Sequence, residues 1–112
     1  MVVTFRKSPN PEEDIMEVSG RIVNVDSEKF KTKLDAFCTR PQKRIIVDIS
    51  KVDFIDSFGL GALVGFHTQL QKDGRELTIL NLNQDKDSYM RKLFEMTSLD
   101  IIFKVFDSEE KL

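Results

Sequence analysis

The chain has no tryptophan and only one cysteine, one histidine and one tyrosine among its 112 residues. A lone thiol, Cys38, cannot close an internal disulfide. With His67 as the single imidazole, the two residues are too sparse for a zinc site or a cysteine–histidine catalytic pair. Both residues are expected in packing or surface roles, with little expectation of a pH switch at His67. An excess of basic charge is also lacking. Seventeen Lys and Arg face 19 Asp and Glu, for a net charge of −2, so no patch is expected to release counterions from nucleic acid. A protein partner is expected instead. The most apolar run, "GLGALVGF", is far below the roughly 20 residues that cross a bilayer. "MVVTFRKSPN" is charged by its sixth residue and does not read as a signal peptide, which makes the cytoplasm the expected location. No linker, repeat or low-complexity segment interrupts the chain.

Apolar residues make up 40 % of the chain, enough for one core in one domain over residues 1–112. Val2 to Lys7 alternates and is β-branched, which predicts a strand. "SPNPEED" is a turn, and "IMEVSGRI" a second, antiparallel strand, ended or bulged near Gly20. In "NVDSEKFKTKLDAFCTRP" the period becomes helical. Phe30, Leu34, Phe37 and Cys38 share a face, Asp26 or Ser27 can cap the start, and Pro41 closes the segment. "KRIIVDIS" reads as a strand buried on both faces, as in parallel sheets covered by helices. A helix follows from about Ser57 to Lys72, with Leu60, Leu63, Val64, His67 and Leu70 as its apolar face and Gly74 just beyond its end. "RELTILNL" is the next strand. "QDKDSYMRKLFEMTSL" is a helix carrying Met90, Leu93, Phe94 and Thr97 on one face, with Met90 and Met96 as core fillers. "DIIFKVF" is the last strand, and "DSEEKL" a solvated end with at most one helical turn. The order β-β-α-β-α-β-α-β predicts an α/β fold, a mixed sheet with right-handed crossovers.

One stretch combines features that a plain core does not need: "FIDSFGLG", Phe54 to Gly61, where a buried strand gives way to a helix. Sites in open α/β sheets gather at this carboxyl edge. On physical grounds alone Ser57 is well placed to N-cap the helix, its hydroxyl accepting a backbone N–H. Gly59 and Gly61 weaken the helix but allow a partner's backbone to come close. Catalytic motifs are missing. No Gly-Lys-Ser/Thr follows the glycines, as a P-loop requires, and Gly59, Gly61 and Gly65 lack the dinucleotide spacing. The Gly-x-Ser-x-Gly elbow is absent, and His67 lies on the helix that Ser57 opens. Asp53 and Asp56 are three residues apart, with no further ligand at a metal-binding spacing. No enzyme, cofactor or metal is expected.

From "VDFIDSFGLGALVGF" to "DIIFKVFDS" the sequence resembles a STAS domain of the anti-sigma factor antagonist family, and the likeness extends back to the first hairpin. "DSFGLG" resembles that family's Asp-Ser-Ser/Thr-Gly-Leu-Gly, and Leu93 to Leu99 its Leu-Phe-x-Met-x-x-Leu pattern. The resemblance implies a bacterial, cytoplasmic, non-catalytic regulator. Its unphosphorylated form would bind an anti-sigma factor that is also a serine kinase, freeing a sigma factor. Phosphorylation would separate the pair, and a serine phosphatase would restore binding. Carried over, Ser57 is the phosphoacceptor, flanked at the docking surface by Asp56, Phe58, Gly59, Leu60 and Gly61. Two positions depart from the pattern. Phe58 replaces a small hydroxyl residue and is expected to stand out as an interface anchor. Val23 stands where an Asp is common near the phosphoacceptor, and Asn24 is expected to substitute for it in part. The family's final helix is expected to be shortened. The alternatives are a non-phosphorylated STAS scaffold, as a subunit of a stressosome or transporter-type complex, or a small enzyme or ligand-binding domain at the same edge.

Overall fold

A computed structural model describes residues 1–112. Five strands form one sheet in the order β1-β2-β3-β4-β5: β1 Val2–Lys7, β2 Asp14–Ile22, β3 Arg44–Ile55, β4 Glu76–Leu80 and β5 Lys104–Phe106. The pair β1–β2 is antiparallel and every later pair is parallel. Helix α1 (Val25–Cys38) joins β2 to β3, and α2 (Ser57–Lys72) joins β3 to β4. Two short helices, α3 (Tyr89–Met96) and α4 (Leu99–Ile102), join β4 to β5. Each parallel connection steps to the next strand in the same direction. Right-handed crossovers therefore place every helix on one face of the sheet.

That face carries the main core. Met16, Val18, Ile45, Val47, Leu77 and Ile79 from the strands meet Phe30, Leu34 and Phe37 of α1 and Leu63 and Leu70 of α2. Burying Leu63 and Leu70 contributes about 1.5–3 kcal/mol each. His67 is also buried there; its Nδ1 accepts the Leu77 N–H at 3.2 Å and its ring packs on Phe103. Cys38, half-buried at the end of α1, has its thiol pushed up to about 11 by burial, which keeps it protonated and unreactive near neutral pH.

The opposite face has no helix, a departure from the expectation of a sheet covered by helices. Ile15, Ile46 and Leu80 are fully buried there beneath Phe106 and Leu112. Beside them Arg6 of β1 donates to Glu17 at 2.7 Å, to the buried Asp48 at 2.7 Å and to Glu109. The polar end, including a 3₁₀ turn at Glu109–Lys111, thus covers the back of the sheet and is not simply solvated.

Several boundaries differ from expectation for identifiable reasons. Strand β3 runs on to Ile55, five residues past the end of "KRIIVDIS" at Ser50, because β2 offers pairing partners through Ile22↔Ile55. Gly20 takes φ +88° at a register shift of β2, the expected bulge. Helix α1 begins at Val25, so Asp26 and Ser27 lie inside its first turn and neither caps it; the cap position, Asn24, makes no side-chain bond to the helix. Helix α3 starts at Tyr89 because the acidic stretch before it forms a chain of Asx turns. The N–H groups of Asn83, Asp85 and Asp87 each donate to the side chain two residues earlier. Ser98 adopts a left-handed conformation, φ +58°, and ends the α3 helix pair's first member. Leu99 and Phe103, four apart, then take core places, so Ile101 and Ile102 turn with α4 and stay exposed, leaving β5 only Lys104–Phe106. Met90 is core as expected, but Met96 is 84 % exposed. Gly74 follows α2 at φ +70°, as its expected place beyond the helix requires.

Candidate functional site

The residues of "FIDSFGLG" come together where β3 passes into α2. The end of β3 is held from both sides. The Asp56 N–H donates to the Ile22 carbonyl at 2.9 Å, carrying the β2–β3 pairing one residue past the strand. The Tyr89 hydroxyl donates to the Ile55 carbonyl at 3.2 Å, and its ring stacks on Phe54, whose other neighbour is the Arg21 guanidinium.

The cap of α2 is Asp56, not Ser57. The Asp56 Oδ1 accepts the Gly59 N–H at 2.9 Å, and Oδ2 accepts the Asn24 N–H at 3.0 Å. One carboxylate therefore satisfies the first turn of α2 and ties it to the β2–α1 loop. These bonds, with Gly59 first and Asn24 next after the opposing effect of burial, hold the Asp56 carboxyl below the usual aspartate range. Asn24 does reach the site, but through its backbone N–H and not through the side chain. It takes φ +53°, a conformation that asparagine tolerates better than most residues.

With the cap occupied by its neighbour, Ser57 is the first residue of the helix, and it is exposed with no hydrogen bond to its hydroxyl among those the fold makes. Phe58 is 48 % exposed. Its ring lies under the Lys31 ammonium of α1, 5.6 Å from the centroid. Gly59 departs from its expected role. It is buried, and a Cβ there would lie 2.9 Å from Ile55 Cγ1 and 3.1 Å from Ile22 Cγ2, so its close approach is to its own core. Leu60 is half-buried against that core. Gly61 is the open glycine: a Cβ there would meet nothing within 4 Å.

Along α2, Ser57, Phe58, Gly61, Ala62, Gly65, Phe66 and Gln69 line a groove of about 470 Å³ whose opposite wall is Lys31. Lys31, Phe66 and Tyr89 were not singled out by the sequence pattern. Phe66 shares α2 with Ser57, whereas Lys31 reaches the groove because α1 packs beside α2 and Tyr89 reaches the end of β3 because α3 packs on that strand, placements for which a single sequence carries no signal. Asp53 is exposed on β3, and both Asp56 oxygens are engaged by backbone N–H groups, so the two carboxylates do not form a shared ligand set.

The cap yields a pH prediction. A folded-state carboxyl held below its usual range adds stability that is fully present above the ordinary aspartate value, near pH 4, and is lost as the pH falls through the folded value. Asp56→Ala is therefore expected to cost about 1–2 kcal/mol at pH 7, with the gap to the wild type narrowing below pH 4. Paired urea melts across pH check this; a gap that widens in acid would contradict the capping role.

Comparison with known proteins fits this geometry. The STAS domain model matches residues 6–112. The chain is 25 % identical over 96 residues to the anti-sigma F factor antagonist of Paenibacillus polymyxa, covering 85 % of this chain and 79 % of the relative. It is 27 % identical over 95 residues to the anti-sigma-B factor antagonist of Listeria monocytogenes serovar 1/2a, covering 85 % and 80 %. Its fold superposes on the Bacillus cell fate determinant SpoIIAA in the phosphorylated form with a TM-score of 0.68 at 19 % identity, covering 98 % of this chain and 96 % of that one. No helix is long and apolar enough to cross a membrane. With a family match over nearly its whole length and the one-sided β-β-α-β-α-β-α-α-β architecture, the chain belongs to the STAS domain family.

Proposed function

We propose that the chain is an anti-sigma factor antagonist that acts by binding and is switched off by phosphorylation of Ser57. The observation that carries this reading is the exposed Ser57 on the rim of an open groove, on backbone fixed by its neighbour Asp56. The relatives named as anti-sigma factor antagonists support the choice of partner. The unphosphorylated groove would dock an anti-sigma factor that is also an ATP-dependent serine kinase, freeing a sigma factor in a bacterial cytoplasm. Phe58 and the open backbone at Gly61 would lie in that contact.

In the switching step the Ser57 oxygen attacks the γ-phosphorus of ATP. The new O–P bond replaces the bond to ADP, which leaves. The hydroxyl proton goes to a base supplied by the kinase, since both Asp56 oxygens already accept backbone N–H groups. The phosphate adds about −1.5 to −2 charges beside Asp56 at a docking surface, where bulk and like charge oppose binding. The fold itself is expected to persist. Hydrolysis by a serine phosphatase restores the hydroxyl.

The test is mass spectrometry after incubation with the cognate kinase and ATP, together with kinase binding. One phosphoryl group is expected on the wild type and none on Ser57→Ala. Ser57→Ala is expected to retain binding, and Ser57→Asp to lose at least about tenfold, or 1.4 kcal/mol. No mass gain, with equal binding by both variants, would identify a non-phosphorylated scaffold instead.

A further inference from the structure

A phosphate on Ser57 would need a counter-charge, and the cap of its own helix is already taken. The Asp56 carboxylate holds the Gly59 N–H, and the Phe58 N–H also contributes to its stabilisation. A second anion cannot enter that position without displacing a carboxylate that also anchors the Asn24 loop. The phosphate is thereby directed outward, into the groove that Ser57 lines.

One charged side chain lines that groove, and it is a cation. Lys31 rises from α1 as the opposite wall, with its ammonium over the ring of Phe58, the residue next to Ser57. Lys31 takes part in none of the chain's ion pairs, although Glu28 and Asp35 lie three and four residues from it on the same helix. Of the acids on α1, Asp26 is paired with the chain's amino terminus, while Glu28 and Asp35 are exposed. The only histidine is buried against Leu77 and Phe103. Asp56 and Lys31 are thus the charged groups that the phosphate meets at the cap and across the groove.

We propose that Lys31 is the receptor for the Ser57 phosphate, leaving the face of Phe58 for the phosphoryl oxygens when Ser57 is modified. This rests on the reading of Ser57 as the phosphoacceptor. An exposed cation–π contact is weak, whereas an ammonium bonded to a dianionic phosphate forms charge-assisted hydrogen bonds about twice as strong as neutral ones. The exchange is favourable and local. It changes the groove in two ways, by adding the phosphate and by uncovering the Phe58 ring.

The experiment places phosphoserine at position 57 during translation, so it needs no kinase. Phosphorus NMR titration follows the second ionisation of the phosphate in the otherwise wild-type chain, in Lys31→Gln and in Lys31→Arg. Lys31→Gln is expected to raise that ionisation by about half a pH unit, and Lys31→Arg to return it close to the wild-type value. Proton NMR follows the Lys31 ε-methylene, which is expected upfield over the Phe58 ring before modification and shifted downfield after it. A phosphate titration unaffected by Lys31→Gln, or a methylene signal that phosphoserine leaves in place, would overturn the proposal. Either result leaves the kinase assay intact, and a failed kinase assay leaves this titration readable.

Discussion

Gly59→Ala and Gly61→Ala are expected to move stability in opposite directions, although the residues are two apart in the same helix. At Gly59 an added Cβ lies 2.9 Å from Ile55 Cγ1 and 3.1 Å from Ile22 Cγ2. Both neighbours are β-branched residues at the ends of paired strands, so neither moves freely. Overpacking of this kind costs about 1–3 kcal/mol, only partly offset by the helix propensity of alanine, worth roughly 1 kcal/mol over glycine. Gly59→Val adds bulk without most of that propensity gain and is expected to lose about 3 kcal/mol or more. At Gly61 a Cβ meets nothing within 4 Å, so the propensity gain is uncompensated and Gly61→Ala is expected to stabilise by about 0.5–1 kcal/mol. Thermal melts decide it. Each kcal/mol corresponds to about 4–8 °C for a domain near this size. Equal shifts for the two alanine variants would contradict the packing assigned to Gly59. The pair also separates fold from docking, because Gly61→Ala narrows the groove while leaving the core untouched.

Arg6→Met is expected to cost about 2–4 kcal/mol, through the charge it strands. Asp48 is only 3 % exposed, and Arg6 is its cationic partner. Ser50 remains on the other oxygen, by its N–H at 2.9 Å and its hydroxyl. Removing one member of a fully buried pair costs about 3–5 kcal/mol, and the partial exposure of Arg6 reduces that figure. The loss also releases Glu109, so the segment over Ile15, Ile46 and Leu80 loosens. Urea denaturation reads the stability, and faster amide exchange at Ile46 and Leu80 reads the uncovered face. The double variant Arg6→Met/Asp48→Asn is expected to recover part of the loss, because no buried charge is then left alone. A single variant within about 0.5 kcal/mol of the wild type would show that water serves Asp48 as well as Arg6 does.

Much of this architecture is legible in the chain. The apolar run at Ile45–Ile49, the helical spacing of Phe30, Leu34 and Phe37, and the glycine after α2 each carry a local physical requirement. Periodicity reports burial, and burial on this scale leaves few choices of element. It fails where two elements compete for one segment. "DIIFKVF" reads as strand, yet Leu99 and Phe103 are also spaced for a helix, and the core took that pair. The Asx turns before α3 are a local signal that a hydrophobic count passes over.

At the candidate site the division falls within a single motif. The sequence of "DSFGLG" already contained the strand-to-helix junction, a capping residue and the resemblance that marks Ser57. Asp and Ser are near-equal caps, however, so the order Asp-Ser does not say which of them faces the helix N–H groups. The register of β3 against β2 decided it: pairing carried through Ile55 and the Asp56 N–H bond to Ile22 aimed the aspartate inward and left the serine outside. Lys31 lies 26 residues from Ser57 in sequence and opposite it in space because α1 and α2 pack side by side on one face of the sheet. Local chemistry fixed which residues were available, and only long-range packing decided which of them meet, because strand register and helix placement are set by the burial of the whole sheet and not by any one segment.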